Sequence, residues 1–405
     1  MTDEAGATGG HRRRNLERCY KMDKRVYLLT IVSFVVGMVE LIIGGILDLV
    51  ATDLGVSLGQ AGLLITIFSV TFAISAPILS VLTAKIERKR LTLVTLLVFL
   101  VGNLVAVVSP SYSVLFISRM ISAASSSLLI VLCVVMAANI VEPQYRGRAI
   151  GIVNMGVSGS LVLGIPFGLM LGNTFGWRAP FIFISALSIL SIAGIYFFMG
   201  RVAPTAQVSL GKQLASFKNY RLLFAQLTSV ILLAGHSTLY AYLTPFVKTT
   251  LGLGGTWISI IYLIFGISAL SGGAIGGTLA DRFGEKPTIL SIIAIFSVAI
   301  FSIPYTTFAL PVFLIVLVIW GMMSWAITPP MQSYLMGVSP ETSNIQISLN
   351  NSAVHLGIAF GSLIGGVVIE LASVEKNATV GGLFAIVALC TGLISMAKRR
   401  KQALI

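Results

Sequence analysis

From Val26 to Leu47 the chain reads VYLLTIVSFVVGMVELIIGGIL, an apolar run of about 22 residues. That is long enough to cross the ~30 Å hydrocarbon core of a bilayer as one helix. Similar runs, bounded by charge or by Gly, Pro and Asn, fall at 60–83, 91–108, 113–138, 149–171, 179–199, 221–246, 257–279, 288–304, 311–335, 347–370 and 379–397. Twelve such runs in a chain that is 56% hydrophobic and 10% charged leave no room for a soluble surface. The expected fold class is an all-α membrane protein with twelve transmembrane helices. Residues 1–25 are polar and Arg-rich, and the first run is too long and lacks the cleavage site of a signal peptide, so helix 1 is expected to be kept.

The net charge of +13 does not point to nucleic acid, because the basic residues form short clusters between apolar runs and not one folded face. Topology explains them. With the N-terminus in the cytoplasm, every Lys and Arg except Arg178, Lys248, Lys376 and the intramembrane Arg119 falls on the cytoplasmic side, which places both termini there. A plasma-membrane location follows. Cys19, Cys133 and Cys390 have no paired spacing, so neither a disulfide framework nor a metal site is expected. There is no Gly-x-x-x-x-Gly-Lys-Ser/Thr loop for ATP and no catalytic constellation, so the chain reads as a non-enzyme without a cofactor.

The twelve runs divide into two sets of six. The loop LTAKIERKR from Leu82 aligns with LADRFGEKP from Leu279 at an offset of 197 residues. The same offset carries a ladder of small residues in helix 5 (Gly156, Ser160, Gly164, Gly168, Gly172) onto Ala353, Gly357, Gly361 and Gly365 in helix 11. Two features at one offset indicate an internal repeat, and small residues every fourth position let helix backbones approach closely in lipid. The expected domains are a basic tail (1–25), a six-helix bundle (26–200), a cytoplasmic linker (201–220), a second bundle (221–397) and a basic tail (398–405). In the linker, Leu210, Leu214 and Phe217 are spaced like one side of a short interfacial helix.

Ionisable groups inside the runs are few: Glu40, Arg119, His236 and His355, with Glu370 at a helix end. A carboxylate in a lipid-spanning helix has to face protein or water. Gly37 and Gly44 leave an open strip beside Glu40. Burial disfavours its charged form and a cation or substrate favours it, so such a group can exchange a proton for a substrate. Arg119 shares its side of helix 4 with Ser122, Ala123 and Ser126, so it is expected at a central cavity, stabilising ionised Glu40, or else locking helices by hydrogen bonds.

The loop after helix 8 carries Gly277, Leu279, Ala280, Asp281, Arg282, Gly284 and Lys286, and the loop after helix 2 a degenerate copy with Ala84 in place of the acid. Helix 4 has Leu115 and Arg119, and helix 5 has Gly164, Pro166 and Gly168. By these motifs the chain resembles the major facilitator superfamily in its drug:proton antiporter-1 branch. The stretches 39–47, 82–91, 234–243, 320–335 and 357–368 resemble the purine base and nucleoside efflux pumps of that branch, with Asp48 standing where Pro is usual. The resemblance implies two pseudo-symmetric six-helix bundles around a midplane cavity, working as a monomer by alternating access. It also implies a conformational role for Gly277, Asp281, Arg282, Gly284, Gly164, Pro166 and Gly168.

A flat heteroaromatic such as a purine needs stacking surfaces and edge hydrogen bonds. His236 with Tyr240, Trp325 with Gln332, and Asn351 with His355 supply these types at helical spacing. The expected function is therefore proton-coupled export of purine bases or nucleosides, with protons, a small molecule and membrane lipid as partners. A sugar or multidrug exporter of the same branch is the alternative, and a non-transporting sensor or scaffold a more distant one.

Overall fold

A computed structural model describes residues 23–204, 211 and 219–397 of the chain. The interfacial helix expected around Leu210, Leu214 and Phe217 lies outside the described residues, as do Cys19 and the tails at 1–22 and 398–405. Among the described residues, twelve helices are long and apolar enough to cross a membrane. They are α1 (Lys24–Leu54), α2 (Leu58–Leu82), α3 (Arg88–Val107), α4 (Tyr112–Asn139), α5 (Pro143–Phe175), α6 (Ala179–Phe198), α7 (Tyr220–Tyr240), α8 (Thr256–Phe283), α9 (Glu285–Thr306), α10 (Leu310–Val338), α11 (Ile345–Leu371) and α12 (Lys376–Met396).

Local chemistry sets where these helices start and stop. Asp23 caps α1 by accepting from the Arg25 amide at 2.9 Å, and Gly55, at φ 64°, ends it. Ser57 and Gln60 form a reciprocal capping box that opens α2. α1 is 31 residues long and overruns the expected end at Leu47, because the two acids beyond that point have partners. Asp48 pairs with Lys248, and Asp53 accepts from Trp177 Nε1 at 2.8 Å and from Arg178 at 2.7 Å. α5 contains a π-helical turn at Ser160–Gly164, just before Pro166, which has no N–H to give the ladder. α10 divides into Leu310–Ala326 and Thr328–Val338 at the Pro329–Pro330 pair, and the run expected at 221–246 becomes α7 and a separate short helix, Leu243–Leu251.

Both small-residue ladders lie against the first helix of their own half. Gly156 meets the backbone of Thr30 and Phe34, Gly164 meets Met38, Gly168 meets Ile42 and Gly172 meets Ile46, all on α1. In the second half Gly357 meets Val230, Gly361 meets Ala234 and Gly365 meets Thr238, all on α7. A Cβ at Gly357 or Gly361 would overlap a backbone carbonyl, which cannot move aside as a side chain can. The repeat seen in sequence is therefore a repeat of helix packing, α5 on α1 and α11 on α7.

Contacts between the halves gather toward the side carrying the α1–α2, α7–α8 and α11–α12 connections. Ser57 donates to Glu370 at 2.5 Å, Thr66 and Ser362 share a 2.8 Å hydrogen bond, and Thr244 donates to the carbonyls of Gly44 and Gly45 at 3.2 and 3.0 Å. Lys248 and Asp48 complete this seal, and Gly266 of α8 sits on the backbone of Leu161 and Val162 in α5.

Candidate functional site

Beneath the sealed side, the polar residues of α1, α4, α7, α10 and α11 form two clusters. The first belongs mainly to the first half. Arg119 is completely buried, donates from Nη1 to the Val39 carbonyl at 2.9 Å, and lays its guanidinium 4.2 Å from the centre of the Phe68 ring. Its Nε and Nη2 have no hydrogen-bond partner among the described residues. An isolated buried guanidinium costs several kcal/mol, so it needs a compensating charge, and Glu40, next to Val39 on α1, supplies it through space. The Glu40 side chain keeps 17% of its surface exposed. Arg119 thus ties α4 to the α1 backbone one residue from Glu40.

His355 joins this cluster from the opposite half. Its Nδ1 lies 3.7 Å from Glu40 Oε1, and its ring stacks on Phe72 of α2 with centroids 3.8 Å apart and planes 23° from parallel. His355 Nδ1 has no hydrogen-bond partner among the described residues. The expected pairing with Asn351 is not found: His355 is buried, whereas Asn351 is exposed. The neighbouring Asn350 is the buried amide, donating to Gln226 at 3.0 Å and Ser229 at 2.8 Å on α7. Gln332 is half-buried, and neither it nor Asn351 makes a side-chain hydrogen bond among the described residues.

The second cluster is an aromatic box in the second half. His236 and Tyr240 stack at 4.9 Å, Trp320 lies 5.2 Å from His236, and Trp325 stands edge-on to it at 5.6 Å, with Phe265 closing the group. His236 Nδ1 shares a 3.0 Å hydrogen bond with Ser324. His236 Nε2, Tyr240 Oη and Trp320 Nε1 are buried with no partner among the described residues. Three such atoms within one aromatic group are costly unless water or a ligand satisfies them. The structure therefore brings together His236, Tyr240 and Trp325, and adds Trp320, Ser324 and Phe265. Trp320 has one sequence signal: it is a tryptophan in mid-span, with Ser324 one turn on, away from the interfaces where tryptophan is usual.

The motif residues take structural positions. Gly284 ends α8 at φ 87°, a conformation that resists any side chain, while Asp281 and Arg282 are exposed and the guanidinium stands 5.2 Å from the Phe283 ring. Gly277 makes only ordinary contact with Pro329; the close approaches of α8 to the α10 backbone are made by Gly272 and Gly276.

Comparison with known proteins places this geometry in context. Residues 29–362 match the family model described as Major Facilitator Superfamily. The chain is 34% identical over 380 residues to the uncharacterized MFS-type transporter YbcL of Bacillus subtilis (strain 168), covering 94% of this chain and 97% of that protein. It is 28% identical over 382 residues to the inner membrane transport protein YdhP of Escherichia coli (strain K12), covering 94% and 97%. Its fold is similar to a bacterial homolog of the human lysosomal transporter Spinster, in inward-facing and occupied conformation (TM-score 0.73, 17% identity, 92% and 96% covered). It is also similar in fold to the human organic anion transporter MFSD10 (TETRAN) (TM-score 0.66, 18% identity, 91% and 97% covered).

Proposed function

This chain belongs to the Major Facilitator Superfamily, and from that premise we propose that it exports purine bases or nucleosides in exchange for protons. The observation that carries the coupling is Glu40, an acid in a spanning helix at the contact layer between the halves, facing Arg119 from its own half and His355 from the other. A carboxylate so placed changes its interactions with both halves when it gains or loses a proton. The binding set is His236, Tyr240 and Trp325, extended by Trp320, and its unpartnered Nε2, Oη and Nε1 atoms match the edge groups of a flat heteroaromatic.

In this reading the two bundles, 26–200 and 221–397, rock about the midplane. The sealed side is the exterior, in keeping with the cytoplasmic charge bias, and the motif loop at Gly277, Asp281, Arg282 and Gly284 and the α5 motif at Gly164, Pro166 and Gly168 serve the rocking. One proton moving down ~100 mV releases about 2.3 kcal/mol, enough to sustain about a 50-fold gradient of a neutral solute. Counterflow in proteoliposomes with labelled hypoxanthine, adenosine, arabinose and a cationic dye tests the substrate class. Exchange of the two purines and neither of the others is expected; exchange of arabinose or dye without the purines refutes the assignment.

A further inference from the structure

His355 is a residue of the second half seated in the first. Its ring face rests on Phe72 of α2 and its Nδ1 points at Glu40 of α1, while its own helix α11 is held on α7 by the Gly357, Gly361 and Gly365 ladder. Any rocking of α11 relative to α1 therefore changes the Glu40–His355 distance. We propose that His355 is a positioning residue for proton coupling, carrying the charge state of Glu40 across to the second half. This rests on the reading of Glu40 as the proton-carrying acid.

The chemistry is a competition for one carboxylate. A proton taken from water onto the imidazole makes an ion pair with ionised Glu40 that holds α11 against α1. A proton taken from water onto Oε1 leaves a neutral carboxyl, ends that attraction and frees the halves to part. Among the charged and titratable groups on the helices packed against α1 and α11, Arg119 on α4 acts on Glu40 from its own half. His236 and Tyr240 on α7 pack against residues of α8 and α10, Tyr242 donates to the Ser362 carbonyl, Tyr112 donates to the Gln60 carbonyl, Cys133 is buried further along α4, Tyr334 donates to Ser395, Glu370 at the outer end of α11 accepts from Ser57 in the seal, and Asp48 pairs with Lys248 there. Among the described residues, His355 is the second-half group within ion-pair distance of Glu40.

Ser362, buried in the seal beside Thr66, is the reporter position. In a background of Cys19→Ser, Cys133→Ala and Cys390→Ser, the alkylation rate of Ser362→Cys by a small maleimide, divided at each pH by that of the exposed control Trp257→Cys to remove the change in thiolate fraction, is followed against pH in purified full-length protein without substrate. A ratio that varies about tenfold across the range where carboxyl and imidazole groups titrate is expected, and His355→Gln should flatten it to less than about twofold. His355→Gln with the parent profile overturns the proposal. Glu40→Gln is the companion: a parent-like profile there removes Glu40 from the coupling role, whereas a flat profile there beside an unchanged His355→Gln profile removes His355 alone. If His355→Gln does not give monodisperse protein, Phe72→Leu, which takes away the stacking seat, must shift the profile, and an unchanged profile overturns the proposal equally.

Discussion

The two halves share a scaffold and differ in their chemistry. At the common offset of 197 residues the ladder positions correspond and pack alike, α5 on α1 and α11 on α7. The reactive positions do not correspond: Glu40 answers to Ser237, Arg119 to Val316, His236 to Val39, Trp320 to Ala123 and Trp325 to Leu128. One half holds the charges and the other the aromatic box. The same contrast appears at the loops. Gly284 turns the chain at φ 87° after α8, while its counterpart Glu87 adopts φ −58° and caps α3, accepting from the amides of Lys89, Arg90 and Val202. What the repeat keeps is helix approach, where a single added methyl is felt; what it varies is the polar content.

Substitutions that attack the shared scaffold should have the largest effect. Gly361→Leu drives a branched side chain into the Ala234 carbonyl and should abolish recovery of monodisperse protein in size-exclusion chromatography, as should Gly156→Leu in the other half. Gly273→Leu, which meets open space, should be recovered normally. Next in size is the charge asymmetry. Glu40→Gln should reduce uphill accumulation from about 50-fold to none while leaving counterflow measurable. Adding Ser237→Glu should not restore it, because Val316 stands where that acid would need a cation. Unchanged uphill transport in Glu40→Gln would dissolve the contrast between the halves.

Smaller effects probe the aromatic box and the loop. Trp320→Phe keeps the ring and removes the unpartnered N–H, so purine Kd measured by scintillation proximity should rise about tenfold, roughly 1–1.5 kcal/mol. An unaltered Kd would make the box a packing feature. The smallest effect is at Glu87. Partial burial pushes its carboxyl up, but the backbone donors Val202, Arg90 and Lys89 and the charge of Arg201 outweigh this and hold it below the usual carboxylate range. A lowered value means stabilisation that is present above the ordinary carboxylate range, near pH 4–5, and is lost as pH falls through the lowered value. The Tm difference between wild type and Glu87→Gln should therefore be present at neutral pH and vanish in acid.

Much of this was legible in the chain itself, and the gaps have specific causes. The helix count and the ladders were readable because membrane spans are long apolar runs and because small residues at every fourth position have few other uses. Glu40 and Arg119 stood out through scarcity. The i−4 spacing predicts Asn351 on one face with His355, but the buried amide is Asn350, because Gln226 and Ser229 on a different helix decide which face of α11 is turned inward. Spacing places His355 among the candidate ligand-binding residues, and its contacts with Glu40 and Phe72, more than 280 positions away in sequence, are visible only in the fold. Spacing points to Trp325 and not to Trp320, because only the fold shows that both rings reach His236.

The chain has four tryptophans, and two of them, Trp320 and Trp325, lie within 6 Å of the His236 ring centre, while Trp177 is tied to Asp53 at a helix junction and Trp257 is 45% exposed. The protein thus carries an intrinsic optical probe. Light absorbed at the indoles is emitted partly from inside the aromatic box, so an occupant stacking there would quench emission without any attached dye, while Trp177 and Trp257, outside the box, supply a background from the same molecule.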